Sequence, residues 1–126
     1  MTLRRRKPTD AELEILSVLW ERGPSTVREV AEVLGRGDAY TTVLKLLQIM
    51  TEKRLVTRRG SGRLHIYAAA SSRDQTQRHL VRDLLRRAFD GSAAELVMQA
   101  LTTGNATRKE LDEIRRMLDQ HRRNRS

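Results

Sequence analysis

The sequence predicts a mainly α-helical fold with one small β-hairpin. Apolar residues recur at helical spacing along most of the chain, and several of these stretches open with the residue pair of a helix capping box. Near the middle, two short runs at 55–59 and 64–68 flank the glycine-containing residues 60–62. Glycine supplies the positive φ of a tight turn, so this part of the sequence predicts a hairpin.

The first helix is predicted to begin near Asp10. Thr9 and Glu12 have the spacing of a capping box, in which the threonine hydroxyl accepts a bond from a helix amide and the glutamate reaches back to the cap. Gly23 and Pro24 end the helix, because glycine permits a C-cap with positive φ and proline cannot continue a helix. The apolar residues at helical spacing are Ile15, Leu16, Leu19 and Trp20.

A second helix of about nine residues is predicted over 26–34. Thr26 and Glu29 form its capping box. Residues 35–38 form a short turn into the next helix, as in a helix-turn-helix. The apolar stripe of the second helix comprises Val27, Val30, Ala31 and Leu34.

Residues 38–53 predict an amphipathic helix with one face free to bind a partner, and Asp38 is its expected N-cap. One stripe is apolar and comprises Val43, Leu46, Leu47 and Met50. The opposite side carries Thr41, Lys45, Gln48 and Glu52. Polar residues near the start of such a helix, here including Tyr40 and Thr42, are the ones that meet base edges when a recognition helix enters a major groove.

Together with the hairpin, these three helices predict a winged helix-turn-helix domain over residues 1–70, with the wing at 55–68. The arginines that flank the turn of the wing are Arg58, Arg59 and Arg63. They favour contacts to duplex phosphates, although a solvated hairpin tip has the same composition. Alternation along residues 64–67 leaves open which of two faces, Leu64 with Ile66 or His65 with Tyr67, is turned inward.

The charge of the chain points to a polyanionic partner. Its 126 residues carry a formal net charge of +9, and the pI is about 11.1. Nucleic acid is favoured over membrane, because no run approaches the roughly 20 apolar residues of a spanning helix. The basic arm at 1–7 leads into a helix cap rather than a signal peptide, so a cytoplasmic location is expected. The absence of cysteine excludes disulfides and thiolate metal sites.

Composition shifts at residues 69–72, and residues 71–126 are predicted to form a separate helical dimerisation domain. Three capping pairs open its three helices: Ser72 with Gln75, Ser92 with Glu95, and Thr107 with Glu110. A segment of about 55 residues with three apolar stripes is too small to bury them alone, so we expect a homodimer. The candidate interface or its supporting core comprises Leu80, Leu84, Phe89, Leu96, Leu111, Ile114 and Leu118.

The chain resembles the penicillinase-repressor (BlaI/MecI/CopY) family of bacterial winged-helix transcriptional repressors at three stretches: PTDAE at 8–12, TVREV at 26–30 and AYTTV at 39–43. The YTTV part is the most specific, and the resemblance runs through most of the chain. It implies a homodimer bound to an inverted-repeat operator through the winged helix, with the C-terminal helices as the dimerisation module. In the antibiotic-resistance members, a membrane zinc-protease sensor triggers cleavage of that module and releases the operator.

Two departures from the family pattern limit what the resemblance implies. The copper-responsive members carry a C-terminal cysteine cluster, and this chain has no cysteine, so copper sensing by that route is not expected. The resistance repressors are cleaved at an Asn-Phe bond in the short helix of the dimerisation module. The matching position here is Gln99-Ala100, which leaves proteolytic induction open.

The sequence gives no catalytic constellation and predicts neither a metal site nor a cofactor. His65, His79 and His121 share no motif and fall in different elements. The alternative to a sequence-specific repressor is an architectural, nucleoid-type protein that binds DNA through charge alone. The candidate DNA contacts are Tyr40, Thr41, Thr42, Lys45, Gln48, Thr26, Arg28, Arg58, Arg59 and Arg63.

Overall fold

A computed structural model describes residues 7–35, 39–60 and 64–125. Within these ranges the elements in chain order are α1 (Asp10–Arg22), α2 (Val27–Val33), α3 (Ala39–Glu52), β1 (Val56–Arg59), β2 (Ile66–Ala69), α4 (Arg73–Ala88), α5 (Ala93–Thr103) and α6 (Arg108–Arg125). The chain divides into two compact units, residues 1–81 and 82–126, and the division falls within α4. The predicted mainly α fold with a β-hairpin wing is confirmed.

The predicted start and end of α1 are confirmed. The Glu12 amide donates to the Thr9 hydroxyl at 3.2 Å, and the Thr9 amide donates to the Glu12 carboxylate at 2.8 Å. Both halves of the capping box are therefore formed. At the other end Gly23 has a φ of 89° and its amide donates to the Leu19 carbonyl at 2.8 Å.

Helix α2 also has its predicted capping box, from Thr26 and Glu29, but it is shorter than predicted. It has 7 residues, because Leu34 is already the C-cap and Gly35 turns the chain with a φ of 69°. The expected N-cap of α3, Asp38, lies outside the described residues.

The N-terminal helices and the hairpin enclose one hydrophobic core. The apolar stripe predicted for α3 faces it, with Val43, Leu47 and Met50 buried and Leu46 half-buried. The predicted polar side of α3 is exposed. The buried apolar residues are Ile15, Leu16, Val18, Leu19, Val27, Val30, Ala31, Val43, Leu47, Met50, Val56 and Tyr67.

The hairpin pairs β1 and β2 antiparallel, with Val56 opposite Ala69 and Arg59 opposite Ile66. The orientation that alternation left open is now defined, because Tyr67 is 1% exposed whereas Ile66 is 40% exposed. The Tyr67 face is thus turned to the core. Gly60, at the end of β1, has a φ of 108°, and an added Cβ there would collide with the Leu64 carbonyl oxygen, so the turn requires glycine.

A buried ion pair joins the start of α1 to the end of α3. The Lys53 ammonium lies 3.0 Å from both carboxylate oxygens of Glu12, whose side chain is 2% exposed. Burial raises the pKa of Glu12, but the hydrogen bond from the Thr9 amide and the ammonium of Lys53 together lower it by more. The pKa of Glu12 therefore lies below its ordinary value of 4.5.

Each of the three C-terminal helices begins at its predicted cap. The Ser72 hydroxyl accepts from the Gln75 amide at 3.0 Å, and the caps at Ser92 and Thr107 accept in the same way. Gly91, with a φ of 80°, follows α4, and Gly104 caps α5. Among the described residues, none of the side chains of α4, α5 or α6 is buried.

Candidate nucleic-acid interface

The exposed face of α3 is the centre of the candidate interface. Since α3 buries one stripe in the core, the residues between the buried positions are turned to solvent. All five of the α3 residues predicted to contact DNA are exposed: Tyr40, Thr41, Thr42, Lys45 and Gln48. They offer hydroxyl, amide and ammonium groups, which is the chemistry that reads base edges.

Arg28 of α2 lies beside the first turn of α3. Its guanidinium carbon is 5.8 Å from the centre of the Tyr40 ring, and both side chains are exposed. A guanidinium stacked on an aromatic face keeps its N–H groups available at the edge, so the stack presents an oriented cation rather than a freely rotating one. The structure thereby brings together two candidates from different helices.

Thr26 has a structural role that limits what it offers to a partner. Its hydroxyl accepts from the Glu29 amide at 3.2 Å, and its own amide donates to the Glu29 carboxylate at 2.9 Å. These bonds and the charge of Arg22 outweigh the effect of burial and hold the pKa of Glu29 below its ordinary value, so the Glu29 carboxylate is ionised at neutral pH. The Thr26 hydroxyl keeps its proton and one acceptor lone pair for a contact.

The register of the wing separates two arginines that the sequence grouped together. Arg58 lies opposite Tyr67 and Arg59 opposite Ile66. Directly opposite residues of antiparallel strands share a face, and successive residues alternate, so Arg58 and Arg59 point to opposite sides of the hairpin. Both are exposed. The third predicted wing contact, Arg63, lies outside the described residues.

Ser25 fixes the wing against the helix-turn-helix. Its amide donates to the Tyr67 carbonyl at 2.9 Å, and the Tyr67 amide donates to the Ser25 carbonyl at 2.8 Å. The Ser25 hydroxyl in turn donates to the Gly23 carbonyl at 2.9 Å. This role of Ser25 could not be predicted from the sequence, because the pairing joins segments far apart in the chain and leaves no local pattern.

A cleft of about 370 Å³ opens between the starts of α2 and α3 and the wing. Its lining residues are Thr26, Val27, Arg28, Tyr40, Leu44, Leu64, His65 and Tyr67. The Nδ1 atom of His65 is buried and has no hydrogen-bond partner within the part of the chain that is described. Sequence reasoning treated His65 as an ordinary wing residue, and nothing in the local pattern marks it.

The residues predicted for dimerisation are split between exposed and half-buried positions. Leu84, Leu111 and Leu118 are 44%, 44% and 55% exposed. The half-buried members are Leu80, Phe89, Leu96 and Ile114. Two large apolar side chains that the prediction omitted, Met98 and Met117, are each 63% exposed and enlarge the uncovered apolar surface.

The candidate cleavage position lies inside α5. The Gln99 carbonyl accepts from the Thr103 hydroxyl at 2.7 Å, and the Ala100 carbonyl accepts from the Gly104 amide at 3.0 Å. A protease that binds extended backbone would have to open these bonds first.

Other kinds of site find little support in the residues described. Over 7–35, 39–60 and 64–125, no three histidine, aspartate or glutamate side chains converge in a way that could hold a metal ion. No helix among the described residues is long and apolar enough to cross a bilayer.

Two solved structures match most of the chain at low sequence identity. The crystal structure of the transcriptional regulator Tm0710 from Thermotoga maritima matches 92% of this chain and 78% of that chain at 20% identity, with a TM-score of 0.49. The solution structure of apo-NmtR matches 79% of this chain and 71% of that chain at 22% identity, with a TM-score of 0.44.

Sequence comparisons identify the family. The chain is 37% identical over 92 residues to the transcriptional regulator BlaI of Mycobacterium tuberculosis, covering 71% of this chain and 67% of BlaI. It is 22% identical to the penicillinase repressor of Bacillus licheniformis over 90% of this chain and 91% of that repressor. The family model for penicillinase repressors matches residues 8–120. The chain therefore belongs to the penicillinase repressor family, whose members are transcriptional regulators and not enzymes.

Proposed function

We propose that this protein is a homodimeric repressor of transcription that binds an inverted-repeat operator in double-stranded DNA. The observation that carries the proposal is the polar face of α3, which is exposed along its length while the opposite face is locked into the core. Such a repressor acts in the bacterial cytoplasm, where the DNA is.

In this mechanism α3 enters the major groove and reads sequence. Lys45 would donate to guanine acceptors, and Gln48 would pair with adenine, while Thr41 and Thr42 contact either kind of base edge. Arg28, oriented by Tyr40, binds a backbone phosphate beside the groove. In this arrangement the residues of α3 read the base sequence, and the surrounding cations position the protein on the DNA backbone.

The wing would supply a second backbone contact. Because Arg58 and Arg59 point to opposite sides of the hairpin, one of them faces the duplex and the other does not. Arg58 shares the side of Tyr67, which is the side that packs toward α3, and is the better candidate.

The apolar surface of the C-terminal unit supports the proposed dimer. Several of its large apolar side chains are exposed within one chain, and a second copy would bury them about a two-fold axis. The operator would then be a pseudo-palindrome with half-site centres separated by about one or more helical turns of roughly 10 bp.

Loss of the dimer would release the operator. A cut between Gln99 and Ala100, made on the signal of a membrane zinc-protease sensor, would break α5 and separate the two operator-binding halves. The carbonyl bonds within α5 oppose such a cut, so cleavage would need local unfolding of α5.

The experiment is a selection from random duplex DNA, followed by titration of three variants against the enriched sequence. Lys45→Ala should weaken operator binding by about 1–3 kcal/mol and relax selectivity, because it removes a base contact. Arg58→Ala should weaken all sequences alike and reduce the salt slope by about 1. Lys109→Ala, an exposed lysine of α6 with the same charge change, is the control and should have little effect.

The net charge of +9 supports a second candidate, an architectural protein that binds DNA without sequence preference. A selection that enriches no sequence, together with equal losses from Lys45→Ala and Lys109→Ala, would favour this candidate over the repressor.

A further inference from the structure

The cleft between α2, α3 and the wing has the size of a small-molecule site. Its volume of about 370 Å³ lies at the lower end of the roughly 300–1,000 Å³ typical of ligand pockets. Val27, Leu44 and Leu64 supply apolar wall, while Arg28 and His65 supply polar groups. The lining is divided about evenly between apolar and polar groups, so it offers contacts to both ends of an amphiphilic small ligand.

Two features of the lining point to an occupant. The buried Nδ1 of His65 has no hydrogen-bond partner among the described residues, and a buried imidazole nitrogen without a partner is unfavourable until some group completes it. At the rim, Leu64 is 67% exposed and Tyr40 is 46% exposed. A ligand with an apolar body would cover both side chains.

The charge of the cleft selects an anion. Of the lining residues that the structure describes, Arg28 alone carries a permanent charge, and a guanidinium pairs with a carboxylate through two parallel hydrogen bonds. The hydroxyls of Thr26 and Tyr40 lie in the same lining and can donate to the same ligand. A backbone phosphate would use Arg28 but would leave the apolar walls uncovered.

We propose that this cleft binds a small organic carboxylate with an aryl or branched-alkyl body, and that the ligand competes with the operator. The competition rests on the proposed DNA-binding function, because Arg28 and Tyr40 are also assigned to the operator. A carboxylate bound to Arg28 withdraws that cation from the phosphate, and its body lies between α3 and the wing residues Leu64 and His65. Repression is then relieved reversibly, without a cut in α5.

The test is a titration of the isotope-labelled full-length protein with benzoate, followed by NMR, with benzamide as the uncharged control of the same shape. Benzoate should give saturable shifts at Arg28, Tyr40 and the His65 imidazole nitrogens, and benzamide should bind more weakly by about tenfold or more, as expected for loss of a charge-assisted hydrogen bond. Arg28→Gln should lose benzoate binding by a similar factor. Arg116→Gln removes an exposed arginine of α6, outside the cleft, and should keep benzoate binding.

Operator titrations separate this proposal from the proposed function. Benzoate should raise the apparent operator Kd of the wild-type protein in step with occupancy of the cleft. The proposal is overturned if benzoate and benzamide bind alike, if the shifts spread over the arginine-rich surface, if Arg28→Gln binds benzoate normally, or if bound benzoate leaves operator affinity unchanged. If the protein binds its operator normally but does not bind benzoate, the proposed carboxylate site is wrong and the proposed repressor function is unaffected. If the protein binds benzoate but selects no operator sequence, the proposed repressor function is wrong, and so is the proposed competition between ligand and operator.

Discussion

The two compact units begin their helices in the same way but place their apolar faces differently. In the N-terminal unit the stripes of α1, α2 and α3 meet the hairpin in one core, where Ile15, Leu47 and Met50 are each 0% exposed. In the C-terminal unit no described residue is buried, although its helices α5 and α6 also begin at capping hydroxyls. Capping therefore defines where helices lie, whereas the stability of a unit depends on what covers its apolar surface.

Removal of the C-terminal unit is the strongest way to test this contrast. A chain truncated after Val81 keeps the N-terminal core and should fold, but it should bind the operator about 10²–10⁴-fold more weakly, because the second half-site is no longer tethered. Sedimentation and operator titration measure the two effects. A truncated chain that remained dimeric, or that bound the full operator as tightly as the intact chain, would show that the C-terminal helices serve another purpose.

Leucine-to-alanine variants in the two units should differ in how their effects depend on protein concentration. Leu47→Ala, in the core, should lower the free energy of unfolding by about 2–5 kcal/mol at every concentration. The Leu118 side chain is 55% exposed in one chain. Leu118→Ala should therefore lower the free energy of unfolding only to the extent that it weakens association of the dimer. Denaturant titrations at two protein concentrations distinguish them, and a concentration-independent loss in Leu118→Ala would contradict the dimer interface.

The helix starts were predictable from sequence because capping is local. Thr9 with Glu12 and Thr26 with Glu29 are three residues apart, and each pair forms the predicted bonds. The same holds for the exposed face of α3, which follows from its helical period once the apolar stripe is buried.

The remaining features depend on contacts between distant segments. Glu12 was predicted only as part of a cap, and its second bond is to Lys53, 41 residues away in sequence. The inward face of the wing was undecided because β2 is short and both of its faces carry apolar residues, and it is the burial of Tyr67 in a core built from distant segments that defines it. The cleft around His65 is assembled from three elements, so no single stretch of sequence contains its signal.

The ion pair between Glu12 and Lys53 is a second difference between the two units. Glu12 is buried in the N-terminal unit, whereas no described residue of α5 or α6 is buried. Lys53→Met should lower the free energy of unfolding by about 1.5–3 kcal/mol, since it removes a hydrogen bond to a charged, buried group. Lys45→Met makes the same change at an exposed position and is the control. Equal stability of Lys53→Met and the wild type would show that the pair contributes nothing.

The same pair predicts a pH dependence with a defined sign. Because the folded-state pKa of Glu12 lies below its ordinary value of 4.5, its contribution is complete well above that pH and is lost as the pH falls through the folded pKa. In Lys53→Met the pKa of Glu12 rises, so the loss of stability on acidification should begin at a higher pH. Unfolding titrations between neutral and acidic pH measure the shift, and identical profiles for the variant and the wild type would contradict it.

A smaller effect is expected at Trp20, which holds the start of α4 to α1. Its indole N–H donates to the Ser71 carbonyl at 2.9 Å, and the Arg73 guanidinium lies 5.8 Å from the centre of its ring. Trp20→Phe keeps an aromatic ring but removes the donor, so the free energy of unfolding should fall by about 0.5–1.5 kcal/mol.

Arg78→Ala provides the comparison for Trp20→Phe, because Arg78 pairs with Asp74 further along α4 at an exposed position, where such a pair contributes about 0.3–0.5 kcal/mol. The bond from Trp20 lies before the first turn of α4, within the N-terminal unit, so its loss should free that turn without loosening the core. Amide hydrogen exchange should therefore accelerate at Thr76, whose amide closes the first turn of α4 on the Ser72 carbonyl, and stay unchanged at Leu47. Faster exchange at both positions would mean that Trp20 supports the core as a whole, and unchanged exchange at Thr76 would mean that α4 is held by its own cap alone.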